Sequence, residues 1–103
     1  MSDTIRVRII APPAAPNAYG NTWENAAQLI ASRLIAKYPG KVQLVFIPLF
    51  SKEFFAIPHV ARAVSDGSAE LPIILVEDRI IQSGGKISES KIRAEIEAIL
   101  LSS

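Results

Sequence analysis

The sequence predicts a single α/β domain over residues 1–103, with elements in the order β-α-β-α-β-β-α. Three observations carry that prediction. Ile5, Val7 and Ile9 alternate with Arg6 and Arg8, the period of two that marks a strand. An apolar stripe at helical spacing separates this strand from a second apolar run, Val42–Ile47, and the three segments make a βαβ unit. The segment Leu71-Pro72-Ile73-Ile74-Leu75-Val76-Glu77-Asp78-Arg79-Ile80-Ile81 reads as a proline entering a buried strand, a tight turn and a returning strand.

The first strand covers about residues 4–10. A strand covered on both faces reads as continuously apolar, whereas here one face carries two arginines. That face is either open to solvent, with the guanidiniums reaching water, or covered by acidic partners. Residues Ala11–Gly20 hold Pro12, Pro13 and Pro16, which favour extended backbone and predict a loop. Asn21 followed by Glu24 fits a helix N-cap with its reciprocal glutamate. The helix runs to about Tyr38, with Trp23, Ala27, Ile30, Leu34 and Tyr38 on one stripe, and Pro39-Gly40 ends it. Val42–Ile47 is nearly continuously apolar, and its connection through a helix makes it parallel to the first strand with a right-handed crossover.

Pro58 suits the first turn of a second helix, in which Val60, Ala61 and Val64 follow at helical spacing. A preceding single turn over Ser51–Ala56 also fits. In the hairpin, Ile73–Val76 pairs with Arg79–Gln82 across Glu77-Asp78, a turn pair less suited to φ > 0 than Asn or Gly. Gly84-Gly85 breaks the strand. Ser88 caps the last helix, Ile87 and Ile92 are placed for a hydrophobic staple, and Ile92, Ile96, Ile99 and Leu100 face the core.

Composition narrows the chemistry. Half of the chain is hydrophobic and a fifth charged, which excludes a disordered reading. The net charge is +1, with 11 basic and 10 acidic residues and no basic stripe, so nothing points to nucleic acid. Residues 1–20 show no basic start followed by an apolar signal core, and no apolar run approaches a bilayer span, so the expectation is a cytoplasmic protein without membrane partners. There is no cysteine, which excludes disulfides, thiolate metal sites and thiol catalysis.

The order of elements resembles the minimal thioredoxin fold across nearly the whole chain. That resemblance implies a four-stranded mixed sheet in the order 2-1-3-4 with helices on both faces. It also implies a cis peptide bond at Leu71–Pro72, directly before the third strand, with the Leu71 backbone open to an extended ligand. Within the superfamily, Val60-Ala61-Arg62-Ala63-Val64, Ser68–Leu75 and Ile81-Gln82-Ser83-Gly84 are similar to the second half of the arsenical-resistance metallochaperone and repressor family. Ala36-Lys37-Tyr38-Pro39 and the same C-terminal half resemble a group of small proteins assigned as disulfide oxidoreductases. Both groups place cysteines in the loop after the first strand. Here that loop is Pro12-Pro13-Ala14-Ala15-Pro16-Asn17-Ala18-Tyr19-Gly20, onto which no functional residue of either family carries over. Either the domain has lost its chemistry or Ala14-Ala15 stands where cysteines were replaced; the prolines, which also depart from those loops, favour loss.

No other constellation replaces the missing thiols. His59 is the only histidine, and one imidazole without cysteine cannot build a metal site unless carboxylates converge on it. Ser83-Gly84-Gly85-Lys86 lacks the glycine spacing of a phosphate loop and reads as a strand end. Neither a catalytic residue, a metal site nor a cofactor is predicted. The candidate binding residues are Asn17 and Tyr19 in the loop and Leu71 and Pro72 at the third strand. All four phenylalanines, Phe46, Phe50, Phe54 and Phe55, fall between residues 46 and 55. They are either core under the second helix or, for Phe50, Phe54 and Phe55, an exposed patch for a protein partner or a homodimer. The expected function is a non-catalytic interaction module. The alternative is a thiol-disulfide oxidoreductase or arsenic-handling relative in a cysteine-free form.

Overall fold

The computed structural model of the chain describes residues 4–12 and 22–102. Its elements are β1 (Ile5–Ala11), α1 (Trp23–Lys37), β2 (Val42–Pro48), α2 (Lys52–Phe55), α3 (Pro58–Ser65), β3 (Ile73–Val76), β4 (Arg79–Ser83) and α4 (Glu89–Ser102). They form a mixed α/β domain around one four-stranded sheet in the order β2-β1-β3-β4. β1 and β2 are parallel from Ile5↔Val42 to Ala11↔Pro48. β3 runs antiparallel to β1 and to β4, with a register shift between Ile74 and Leu75.

Strand alternation divides the core in two. On one face Ile5, Val7, Ile9, Ile74 and Val76 pack against Ala27, Ile30 and Leu34 of α1 and Ile92 and Ile96 of α4. On the other, Ile10, Ile47, Ile73 and Leu75 pack under Phe54, Ile57 and Val60. β3 is buried on both faces, which explains its unbroken run of large aliphatic residues. β2 is an edge strand, so its apolar run is only partly covered: Val42 and Ile47 are buried, but Val45 is exposed.

The caps explain where the helices start. α1 is capped by Thr22, whose Oγ1 accepts from the Asn25 N–H at 3.0 Å. The expected Asn21 cap is therefore displaced by one residue; Asn21 lies outside the described residues. Tyr38 is buried at the C-cap, and Trp23 is half-buried. The single turn expected near Ser51–Ala56 is α2, capped by the Ser51 hydroxyl. Pro58 opens α3 at a position where no N–H is needed. The Ser88 hydroxyl accepts from Lys91 N–H at the start of α4, and Ile87 packs against the first core, to which Ile92 belongs.

Candidate functional site

The two faces of the sheet are covered to different degrees. α2 and α3 reach only the half that carries Ile10, Ile47, Ile73 and Leu75. Beyond them the sheet surface carries Arg6 and Arg8 of β1 and Gln43 and Val45 of β2. Glu53, Ala56 and Ile57 bound this region opposite the strands, leaving an open groove of about 430 Å³ whose floor is Val45 and Ile47.

The arginine face is both open and partnered, and the partners come from the hairpin. Glu77 is the first turn residue, with φ 56°, while Asp78 is not left-handed. Arg8 Nη2 donates to the Glu77 carbonyl at 2.7 Å and to Asp78 Oδ1 at 3.0 Å. Arg8 is mostly buried, and its Nε is buried without a hydrogen-bond partner among the described residues. It is a strut under the turn. Arg6 stands 3.9 Å from Glu77, with both side chains about half exposed, so its guanidinium is available at the rim of the groove.

The phenylalanines divide. Phe54 is 1% exposed and is core, so it is not an interface residue as expected; the α2 turn points it at Ile10 and Ile47. Phe50 is 63% and Phe55 59% exposed. Their rings stack at 6.2 Å and 20°, and both stand edge-on to Phe54, at 5.7 and 5.1 Å. Phe50 is the third residue of the turn Pro48-Leu49-Phe50-Ser51, closed by Ser51 N–H to the Pro48 carbonyl at 3.1 Å. Its φ is 65°, a left-handed conformation that such turns reserve for Gly or Asn. For a phenylalanine this costs about 1–2 kcal/mol. The fold therefore holds an exposed ring in a strained backbone, which stability alone does not favour.

At the end of β3 away from the hairpin turn, the Leu71–Pro72 bond is cis, the form that the family resemblance implies. Pro72 is buried and Leu71 half-buried against the second core. The segment is fastened to the end of β4: Gly84 N–H donates to the Pro72 carbonyl at 2.9 Å, and Glu70 N–H to Ser83 Oγ at 2.8 Å. Gln82 closes the Gly84–Ser88 loop by donating to the Gly84 and Lys86 carbonyls and accepting from Ser88 N–H. This is the strand-end role read for Ser83-Gly84-Gly85-Lys86. Among the described residues the Leu71 peptide groups make no hydrogen bond. Asn17 and Tyr19, the other two candidate binding residues, lie outside the described residues.

His59 and Tyr38 are committed locally. His59 Nε2 lies 3.1 Å from the Asp78 carbonyl, on the surface. Tyr38 donates to Glu97 Oε2 at 2.7 Å beside a shallow recess of about 360 Å³ lined by Lys37, Leu100 and Leu101. Burial raises the Tyr38 pKa, the hydrogen bond to Glu97 and the charge of that carboxylate add to the rise, and Arg93 opposes it. Among the described residues no group of three or more His, Cys, Asp or Glu side chains could hold a metal ion, and no helix is long and apolar enough to cross a membrane. The sequence signalled the arginine face and the phenylalanine cluster. It did not signal the left-handed Phe50 or the groove, because both depend on where α2 turns.

No family model and no curated protein matches the sequence. Among solved structures, a protein of unknown function from Staphylococcus aureus is similar, with a TM-score of 0.67 at 17% identity, covering 97% of this chain and 94% of its own. A malarial protein is similar with a TM-score of 0.52 at 15% identity, covering 94% of this chain and 98% of its own. At these identities the likeness is one of fold: a four-stranded mixed sheet with helices.

Proposed function

We infer that the chain is a thioredoxin-like domain that keeps the fold without thiol chemistry and works in the cytoplasm as a non-catalytic module for protein binding. The 2-1-3-4 order of the mixed sheet supports the thioredoxin-like reading. The observation that carries the binding reading is the exposed Phe50–Phe55 pair, held in place by a left-handed Phe50. Two stacked rings beside a hydrogen-bonded turn bring large contact area at little further entropy cost on binding. The unpaired Leu71 backbone is a second, smaller docking point for extended chain.

Catalysis by the route of the resembling oxidoreductases needs an attacking thiolate, and the chain has no cysteine. The test is insulin disulfide reduction by the pure protein in the presence of dithiothreitol. The expected rate is that of the buffer alone. Reduction that rises with protein concentration overturns the non-catalytic reading.

A further inference from the structure

We propose that the partner of the Phe50–Phe55 pair is a second copy of this chain, each copy inserting its two rings into the other's groove beside Glu53. The proposal rests on the interaction reading above and names its partner.

The rings and the groove are carried by one segment. Phe50 precedes α2 and Phe55 is its last residue, and Glu53, Ala56 and Ile57 of the same stretch form the groove wall. A two-fold axis beside this segment sets each ring pair against the partner's groove, so the contact is reciprocal and closes at two copies. The volumes agree: a cavity of about 150 Å³ accommodates a benzene ring, and the groove offers about 430 Å³. Its chemistry suits aromatic rings. Val45, Ile47, Ala56 and Ile57 give an apolar floor and wall, and the Arg6 guanidinium at the rim can lie over a ring face.

Charge is also self-complementary. Lys52 and Glu53 are adjacent and exposed, and among the described residues neither makes an ion pair. A two-fold axis brings Lys52 of each copy toward Glu53 of the other at the edge of the aromatic contact. The net charge of +1 puts little repulsion between copies. The two rings alone are too small for a stable dimer, which buries about 800 Å² on each side. The groove and the exposed Val45 on edge strand β2 extend the apolar surface next to them.

Sedimentation equilibrium from low to high micromolar concentration tests the proposal. Wild-type protein should move from monomer to dimer mass in that range. Phe50→Asn/Phe55→Ser, which removes the rings, and Val45→Lys, which obstructs the groove, should each weaken association at least about a hundredfold. All three positions are exposed, and a thermal melt of each variant verifies that it is folded. The decisive arm mixes the two variants. One supplies a groove and the other supplies rings, so the mixture should associate more tightly than either variant alone. A mixture no tighter than its components overturns ring-in-groove docking, as does association that ignores Val45→Lys. A wild-type monomer at every concentration overturns self-association. If a photo-cross-linker at position 55 then labels a different protein in cells, the interaction reading stands without it; if it labels nothing, both fall.

Discussion

Gly84→Ala offers a worked test of how the cis-proline end is held. Gly84 is buried with φ +80°, and a Cβ there would stand 3.1 Å from Glu70 Oε2 and 3.3 Å from Glu70 Cβ. The carboxylate can swing away, but the Cβ cannot, because Glu70 N–H is held by Ser83 Oγ at 2.8 Å and the Ser83 hydroxyl donates to the Glu70 carbonyl. Gly67→Ala is the control: its φ is +77°, but a Cβ there would meet nothing within 4 Å. Both substitutions carry left-handed strain of about 1–2 kcal/mol, offset by about 0.4–1 kcal/mol of lost unfolded-chain entropy. Gly67→Ala should therefore cost about 0.5–1 kcal/mol. Gly84→Ala adds overpacking of about 1–2 kcal/mol, for a total of about 1.5–3 kcal/mol. At the usual unfolding entropy for a domain of this size, the melting temperature should fall by about 10 °C for Gly84→Ala and by less than about 5 °C for Gly67→Ala. Urea unfolding followed by circular dichroism should give the same ranking with unchanged m-values. Equal losses for the two variants would refute the argument that Glu70 is pinned.

Three further outcomes follow from the packing and the titrating groups. Phe54→Ala should cost about 3–5 kcal/mol in urea unfolding of the monomer, whereas Phe55→Ala should cost about 1 kcal/mol or less, because only the first ring is core. The Tyr38 pKa is raised by burial and by Glu97, so its stabilising contribution is present below pH ~10 and lost as pH rises through the folded value. Tyr38→Phe should lower stability near neutrality by about 1 kcal/mol and flatten the alkaline limb of the stability–pH curve. The Asp66 pKa is lowered, first by the hydrogen bond from the Ser68 side chain and then by the one from its backbone N–H, which donates at 3.0 Å. Its contribution is present above the ordinary carboxylate pKa and lost as pH falls through the depressed value, so Asp66→Asn should reduce the acid dependence of unfolding.

The fold was legible where local signals agreed. Alternation gave β1, the Ala27–Leu34 stripe gave α1, and the proline-led run Ile73–Val76 gave the doubly buried β3. The cap of α1 is ambiguous in sequence because Asn21 and Thr22 are both good caps, and only the geometry shows that the Thr22 oxygen meets the helix N–H. Less of the candidate site was legible. Clustering pointed to the phenylalanines but could not separate Phe54 from Phe50 and Phe55, since a four-residue helix offers too little periodicity to assign faces. Phe50 was harder still, because nothing in its residue type signals a left-handed turn position. The alternation of β1 leaves its arginines facing either water or acidic groups. They do both, because the hairpin turn that pairs with Arg8 covers only part of that face.

The claim that Phe50 and Phe55 form a protein-binding surface is tested most directly by a photo-cross-linking amino acid at position 55, activated in living cells. The control is the same group at position 62, an exposed site on α3. The account predicts a discrete protein adduct from position 55 that is absent from position 62 and is lost when Phe50→Asn removes the neighbouring ring. Labelling from position 55 that is no greater than from position 62, or that is unchanged by Phe50→Asn, would contradict it.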